Sequence, residues 1–278
     1  MSASFRRILL IGKLRNAEIE SFLQELRAFL RKRGCEVIAE GETKADLAIV
    51  IGGDGTMLAA ARELVRHHVP LVGINLGRLG FMTDIGQHDT QVGIGAILDG
   101  KYAIEERSLL DCEIQRQGKS ILRTIALNEA VIGKGSQGRL IEFELSVDGE
   151  FVYTLRADGM IVATPTGSTA YALSAQGPIL HPAVPALTLV PLNPHTLSAR
   201  PVSVSDRCVI EIVMVHALDA RAHFDGLALA DMAEGDRLIL KRSADTVRFV
   251  HPPGYRYFAT LREKLRWSEA IERRRKTD

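Results

Sequence analysis

Cysteine is scarce in this 278-residue chain. Cys35, Cys112 and Cys208 lie far apart, and none sits in a CxxC spacing. That argues against a disulfide framework and a zinc site, and an odd count of thiols fits a reducing, cytoplasmic setting. No run of about 18 apolar residues occurs, so no transmembrane helix is expected. Net charge is only +1, which leaves no bulk attraction to nucleic acid or to an anionic membrane. The N-terminal MSASFRRILLIGK has the outline of a weak signal peptide, but its apolar run is short and leads into a helical pattern, so it is read as a first strand. Internal repeats and low-complexity segments are absent. Catalytic signatures are missing too: no histidine pair has HExxH spacing, Gly118-Lys119-Ser120 lacks the leading glycine of a Walker loop, and Ser168 is not in a GxSxG setting. Gly133, Gly135 and Gly138 spell GxGxxG, but an alternating strand follows where a dinucleotide fingerprint needs a helix.

What is present is the composition of a soluble globular protein, 46% hydrophobic and 25% charged, long enough for one large domain or two ordinary ones. Strands at Ile8–Ile11, Cys35–Ala39, Leu47–Ile51 and Leu71–Ile74 alternate with helices from Asn16 to Gly34, over Met57–Val65 and over Thr90–Leu98. That alternation predicts a parallel α/β sheet. After about Glu106 the pattern becomes short strands with turns: Leu109–Gln115, Ile121–Leu127, Ala130–Gly133, Ile141–Val147, Phe151–Arg156, Val209–Val215, Arg237–Lys241 and Val247–Val250. This predicts an all-β second domain, sandwich-like. Phe258–Arg275 returns to helix, and Arg273–Lys276 reads as a solvated tail.

Ile49–Thr56, IVIGGDGT, joins a buried strand to a helix through a glycine-rich turn. Glycines let backbone amides approach a ligand, and a helix N-terminus adds unpaired donors, so the stretch is a candidate phosphate cradle. Asp54 would repel phosphate unless it has a task; it can accept a proton from an attacking hydroxyl or help hold magnesium. The plainer reading is a Gly-Asp-Gly turn with Thr56 as a helix cap.

GGDGT is shared by a superfamily of NAD kinases, diacylglycerol and sphingosine kinases and phosphofructokinases. Here it stands with Gly73–Asp84 (GINLGRLGFMTD), the pair Asn128–Glu129, Asp158–Ile179 (DGMIVATPTGSTAYALSAQGPI) and Pro194–Pro201 (PHTLSARP). In this order, over essentially the whole chain, these resemble the NAD kinase family of bacterial type. The resemblance implies a Rossmann-like α/β domain over 1–106, an all-β NAD-binding domain over 107–251, and a segment 252–278 packing back on the first. It implies transfer of the γ-phosphoryl of ATP, or of polyphosphate, to the 2′-hydroxyl of the adenosine ribose of NAD.

Residue by residue, the resemblance makes Asp54 the general base, also close to NAD with Gly55. Gly52, Gly53, Gly55 and Thr56 would cradle the ATP phosphates, with magnesium bridging phosphate oxygens and few protein ligands. Asn128 and Glu129 would hold the ribose diol, whose donors and acceptors suit an amide and a carboxylate; without the resemblance the pair reads as a strand start. Asp158 would contact the nicotinamide carboxamide, often across a subunit boundary. Thr169, Ala170, Tyr171, Ala172, Leu173 and Ser174 would form the adenine and pyrophosphate side, with Phe81 near the base. Arg139 and Arg156 occupy places where the family has basic or polar contacts. Homodimers or homotetramers with shared sites are implied. Two positions depart from the family pattern: Gln176 stands for a glycine before Pro178, and Leu227 for the glutamine of Asp-Gly-Gln. A lipid or sugar kinase of the same superfamily and a non-catalytic nucleotide sensor are the alternatives.

Overall fold

The structure is a computed structural model that describes residues 5–267 apart from 13–16, 40, 43, 78, 79 and 137. The chain divides into two compact units: residues up to Glu105 together with those from Val247 on, and Glu106–Thr246.

In the first unit, β1 (Arg7–Gly12), α1 (Ala17–Lys32), β2 (Glu36–Ile38), β3 (Leu47–Ile51), α2 (Asp54–Leu64), β4 (Leu71–Asn75), β5 (Ile85–Gly86) and α3 (Thr90–Leu98) follow in order. The pairs β2 beside β1, β1 beside β3, β3 beside β4 and β4 beside β5 are parallel. β3 and β4 are buried at every position, as expected of strands covered on both faces. Their apolar side chains pack with Leu23, Leu26 and Leu30 of α1 and with Ile94 and Ile97 of α3. The chain runs outward from β1 to β2 and then returns to lay β3 on the other side of β1. β3 is therefore next to the point where the winding reverses, and ligands bind such sheets beyond the strands' carboxyl ends. The helix expected from Asn16 begins at Ala17; Asn16 itself and residues 268–275 lie outside the described residues.

The second unit holds β6 (Ala103–Arg116, from Glu106 on), β7 (Lys119–Ala126), β8 (Glu129–Lys134), β9 (Ile141–Val147), β10 (Glu150–Ala157), β11 (Gly159–Ala163), α4 (Tyr171–Ser174), β12 (Ala186–Leu192), β13 (Val202–Ser205), β14 (Ile210–His216), β15 (Ala220–Phe224) and β16 (Leu227–Met232). The chain leaves along β17 (Arg237–His251) into α5 (Tyr257–Leu265). The pieces expected at Arg237–Lys241 and Val247–Val250 are thus one strand. One antiparallel sheet runs β13-β12-β11-β8-β15-β16. A second contains β10, β9, β14 and the first part of β17. Ala130, Ile132, Met160 and Val162 of the one interdigitate with Phe143, Leu145, Ile212 and Leu240 of the other in a shared core, as in a sandwich. The last residues of β17 belong to the first unit, where Phe249 pairs with Leu71 of β4.

Candidate functional site

Two cavities, one in each unit, are lined in part by residues singled out above: Gly52, Gly53 and Thr56 in the first, and Glu129, Asp158 and Tyr171 in the second. In the first unit α2 starts at Asp54, three residues before the expected Met57. Gly53 is its cap and offers no side-chain bond. Thr56 is therefore not a cap; it lies in the first turn, its N–H donating to the Gly53 carbonyl at 2.9 Å. An acidic residue in that turn suits the macrodipole.

The glycines of the turn divide by cause. A Cβ on Gly52 would stand 2.5 Å from Thr56 Oγ1 and 2.9 Å from its Cβ, so packing requires that glycine. Gly53 and Gly55 are exposed, and an added Cβ would meet nothing within 4 Å. Neither is forced by neighbouring atoms, and the open space leaves room for close approach of a ligand. Gly52, Gly53, Thr56, Asn75 and Gly77 line a cavity of about 220 Å³, near the Asp54 and Gly55 amides, for which a helix supplies no acceptor of its own.

The Asp54 carboxylate is held in place from outside its own helix. Its Oδ2 accepts the Phe81 N–H at 3.0 Å and its Oδ1 the Met82 N–H at 2.9 Å. The supporting segment is itself tied down: Thr83 Oγ1 accepts from Gly80 N–H at 2.8 Å and from Asn75 Nδ2 at 3.2 Å. A Cβ on Gly80 would fall on the Asp54 carboxylate and 2.8 Å from Thr83 Oγ1. Two of the carboxylate's roughly four lone-pair sites are thus used and two remain, enough to accept a hydroxyl proton. Gly80, Thr83 and the two amides were not anticipated as site residues. The GINLGRLGFMTD stretch was legible, but backbone donors leave no residue-type signal.

In the second unit Asn128 and Glu129 are 7% and 5% exposed. They are placed by Asp225, whose carboxylate accepts the N–H groups of Leu127 at 2.9 Å, Asn128 at 2.7 Å and Glu129 at 3.3 Å. Asp225 itself sits at φ +51 in the turn with Gly226. From the other side Thr164 donates its hydroxyl to the Leu127 carbonyl at 2.5 Å and its N–H to the Asn128 carbonyl at 2.9 Å. Asn128 Oδ1 and Glu129 Oε2 are buried with no hydrogen-bond partner. Burial, and then the Asp225 charge, push the Glu129 carboxyl up to about 7. Buried unsatisfied oxygens are costly, and the two leave acceptors open to a ligand's donors.

Glu129, Lys134, Asp158, Tyr171, Asn193 and His223 line a cavity of about 380 Å³. Asp158 pairs with Lys134 Nζ at 2.5 Å and accepts from Asn193 Nδ2 at 2.9 Å. The Lys134 hydrogen bond, then that of Asn193, hold its carboxyl below the usual range; it remains an acceptor. Burial, helped by Arg221, lowers His223. Lys134, Asn193, His223 and the positioning role of Asp225 escaped sequence reasoning, because the pairing of β8 with β11 and β15 that gathers them is not written in any local pattern.

The Thr169–Ser174 stretch is divided. Tyr171 is 48% exposed and lines both this cavity and a neighbouring one of about 920 Å³ that includes Ser174. Ala172 is fully buried with Val131, Ile161 and Val190, so its side chain is core and only its backbone faces other roles. Thr169 closes the local turn by donating to the Thr166 carbonyl at 3.1 Å. Ala170 and Leu173 are partly buried and line none of these cavities. Arg139 is exposed, and Arg156 pairs with Glu142 at 3.8 Å on the β9–β10 surface; neither lines a cavity described above. Gln176 has φ +64, the conformation for which the family's glycine is suited. Leu227 is 54% exposed beside Gly226.

A glycine cradle with an amide-held carboxylate, and a β-unit pocket with buried unpaired oxygens, define a nucleotide-handling protein. The ATP-NAD kinase N-terminal domain matches residues 35–102 and the ATP-NAD kinase C-terminal domain residues 127–252. NAD kinase of Aromatoleum aromaticum is 53% identical, covering 98% of each chain. NAD kinase of Azoarcus sp. is 52% identical over 96% of this chain and 98% of its own. An NAD kinase from Archaeoglobus fulgidus, solved in complex with ATP, is 26% identical with TM-score 0.78, covering 94% of this chain and 98% of that one. Yeast NADH kinase complexed with NADH shares the fold, with TM-score 0.80 at 23% identity over 90% of this chain and 84% of that one. The chain belongs to the NAD kinase family, and these findings do not favour the lipid or sugar kinase or the sensor.

Proposed function

We propose that this protein transfers the γ-phosphoryl of ATP to the 2′-hydroxyl of the adenosine ribose of NAD, giving NADP. The observation that carries the reading is the Asp54 carboxylate at the start of α2, aimed by the Phe81 and Met82 amides. Asp54 takes the proton of the attacking hydroxyl; Gly52, Gly53, Gly55 and Thr56 receive the phosphates. Asn128 and Glu129 hold the ribose diol, and Asp158, kept ionised by Lys134, accepts from the nicotinamide carboxamide. Tyr171, with Thr169–Ser174 around it, forms the adenine and pyrophosphate side.

Magnesium fits this arrangement as a passenger on ATP. Among the described residues no group of three or more His, Cys, Asp or Glu could hold a metal, so bound magnesium would take most of its ligands from phosphates and water. When bound, it neutralises charge on the transferring phosphoryl. Cys35, Cys112 and Cys208 form no disulfide, which supports a cytoplasmic setting; no helix among the described residues is long and apolar enough to cross a membrane. A homodimer or homotetramer is the proposed assembly.

The test is NADP formation from NAD and Mg-ATP, read through an NADP-specific dehydrogenase, with polyphosphate and NADH exchanged in afterwards. Asp54→Asn is expected to lower kcat by about 10²–10⁴, the worth of a positioned base, with melting temperature and NAD binding retained. Near-wild-type turnover of that variant refutes the assignment.

A further inference from the structure

β17 returns a buried histidine to the unit that carries Asp54. His251 is 4% exposed. Its Nδ1 meets the Asp84 carboxylate, and its Nε2 lies 3.0 Å from Glu105 Oε2. Tyr255 stacks on the ring, centroids 3.8 Å apart and planes 8° from parallel. Among the described residues, Asp84, Glu105 and Tyr255 are the titratable groups seen to face it. A neutral imidazole has one N–H, and an ionised carboxylate only accepts, so one neutral ring cannot serve both partners. Burial alone would lower His251, but the hydrogen bonds to Asp84 and then Glu105 outweigh it and raise it.

Asp84 directly follows the segment that holds Asp54. Phe81 and Met82 donate to Asp54, Thr83 binds Gly80 and Asn75, and Asp84 meets His251. We propose that His251 is a positioning residue for phosphoryl transfer: as an imidazolium bridging Asp84 and Glu105 it fixes residues 80–84, and through the Phe81 and Met82 amides the aim of the Asp54 carboxylate. The proposal rests on Asp54 being the base of the proposed reaction.

It makes three measurable demands. First, ¹⁵N NMR of the wild-type imidazole at pH 7.5 finds both His251 nitrogens protonated, and Glu105→Gln, which removes one acceptor's charge, moves the ring toward neutrality. A neutral His251 in the wild type overturns the proposal without any variant having to fold. Second, His251→Gln speeds hydrogen exchange at the Phe81 and Met82 amides. Third, the same variant loses about 10-fold to 100-fold in kcat, in the range of a small misplacement of a reacting group, while KM for NAD stays within about twofold. Unchanged exchange at these amides, or unchanged kcat, overturns the proposal. The exchange measurement needs no turnover, so failure of the Asp54 assignment, read from Asp54→Asn, is told apart from failure of the clamp.

Discussion

Glu129→Gln exposes a trade between stability and binding. The carboxyl is 5% exposed, has one oxygen without a partner, and titrates at about 7 against an ordinary 4.5. Below 4.5 it is protonated folded and unfolded, and its ionisation contributes nothing. Between 4.5 and 7 the unfolded chain releases the proton first, so stability falls as pH rises; above 7 the whole penalty is present. At 1.36 kcal/mol for each pH unit between the two values, the penalty at pH 8 is about 3 kcal/mol. The glutamine side chain cannot ionise, so ligand-free Glu129→Gln is expected to melt up to roughly 10 °C above wild type at pH 8. The gap should shrink as pH is lowered to 5. Under the proposed ribose contact, the same variant loses a charged acceptor, a hydrogen bond of about 1.5–3 kcal/mol, and KM for NAD is expected to rise about tenfold or more. Thermal melts of both proteins across pH 5–8, with NAD titrations beside them, decide it. A gap that does not change with pH, or a variant less stable at pH 8, would refute the reasoning about Glu129.

Gly80→Ala is expected to lower kcat about 100-fold with little change in stability elsewhere, because its Cβ displaces the Asp54 carboxylate that the neighbouring amides hold; steady-state kinetics beside circular dichroism check this, and full activity counts against it. Gln176→Gly is expected to stabilise by about 0.5–1 kcal/mol, as relief of a left-handed conformation at φ +64 exceeds the entropy glycine adds to the unfolded chain. A lower melting temperature in that variant would mean the Gln176 side chain has a role of its own.

Much of the α/β unit was legible because its signals are local. Leu47–Ile51 was placed to the residue, since an unbroken apolar run between turn residues has few other homes, and Thr90–Leu98 matched its helix, which ends just before Gly100. In the β unit Ile141–Val147 was as clear, its alternation giving both strand and buried face. Ala186–Leu192, Val202–Ser205 and the hairpin Ala220–Met232 went unread. Pro191 argues against a central strand on local grounds, and Asp225–Gly226 was seen only as a departure from a motif. The site followed the same rule. Asp54 stood out by its chemistry, a carboxylate in a candidate phosphate cradle, while Asn128, Glu129 and Asp158 were singled out by the family resemblance alone. What positions them did not stand out: Asp225 lies 97 residues from Asn128, and Phe81 27 from Asp54, and both act on or through backbone amides.

Those backbone contacts also separate what the fold needs from what a ligand needs. Gly52 and Gly80 are required by neighbours already present, since a methyl group on either would strike Thr56 or Asp54. Gly53 and Gly55 meet no neighbour and have no positive φ; Gly53 is an acceptable helix cap, whereas at Gly55, inside the first turn, alanine would be the more stable choice. Asn128 and Glu129 carry the same mark in polar form: buried oxygens that a stability-driven sequence would pair or replace. Gly53 borders a cavity, and Asn128 and Glu129 hold unmet acceptors. Local rules are obeyed through the cores and broken at the polar pair, which is where the proposed function puts a ligand.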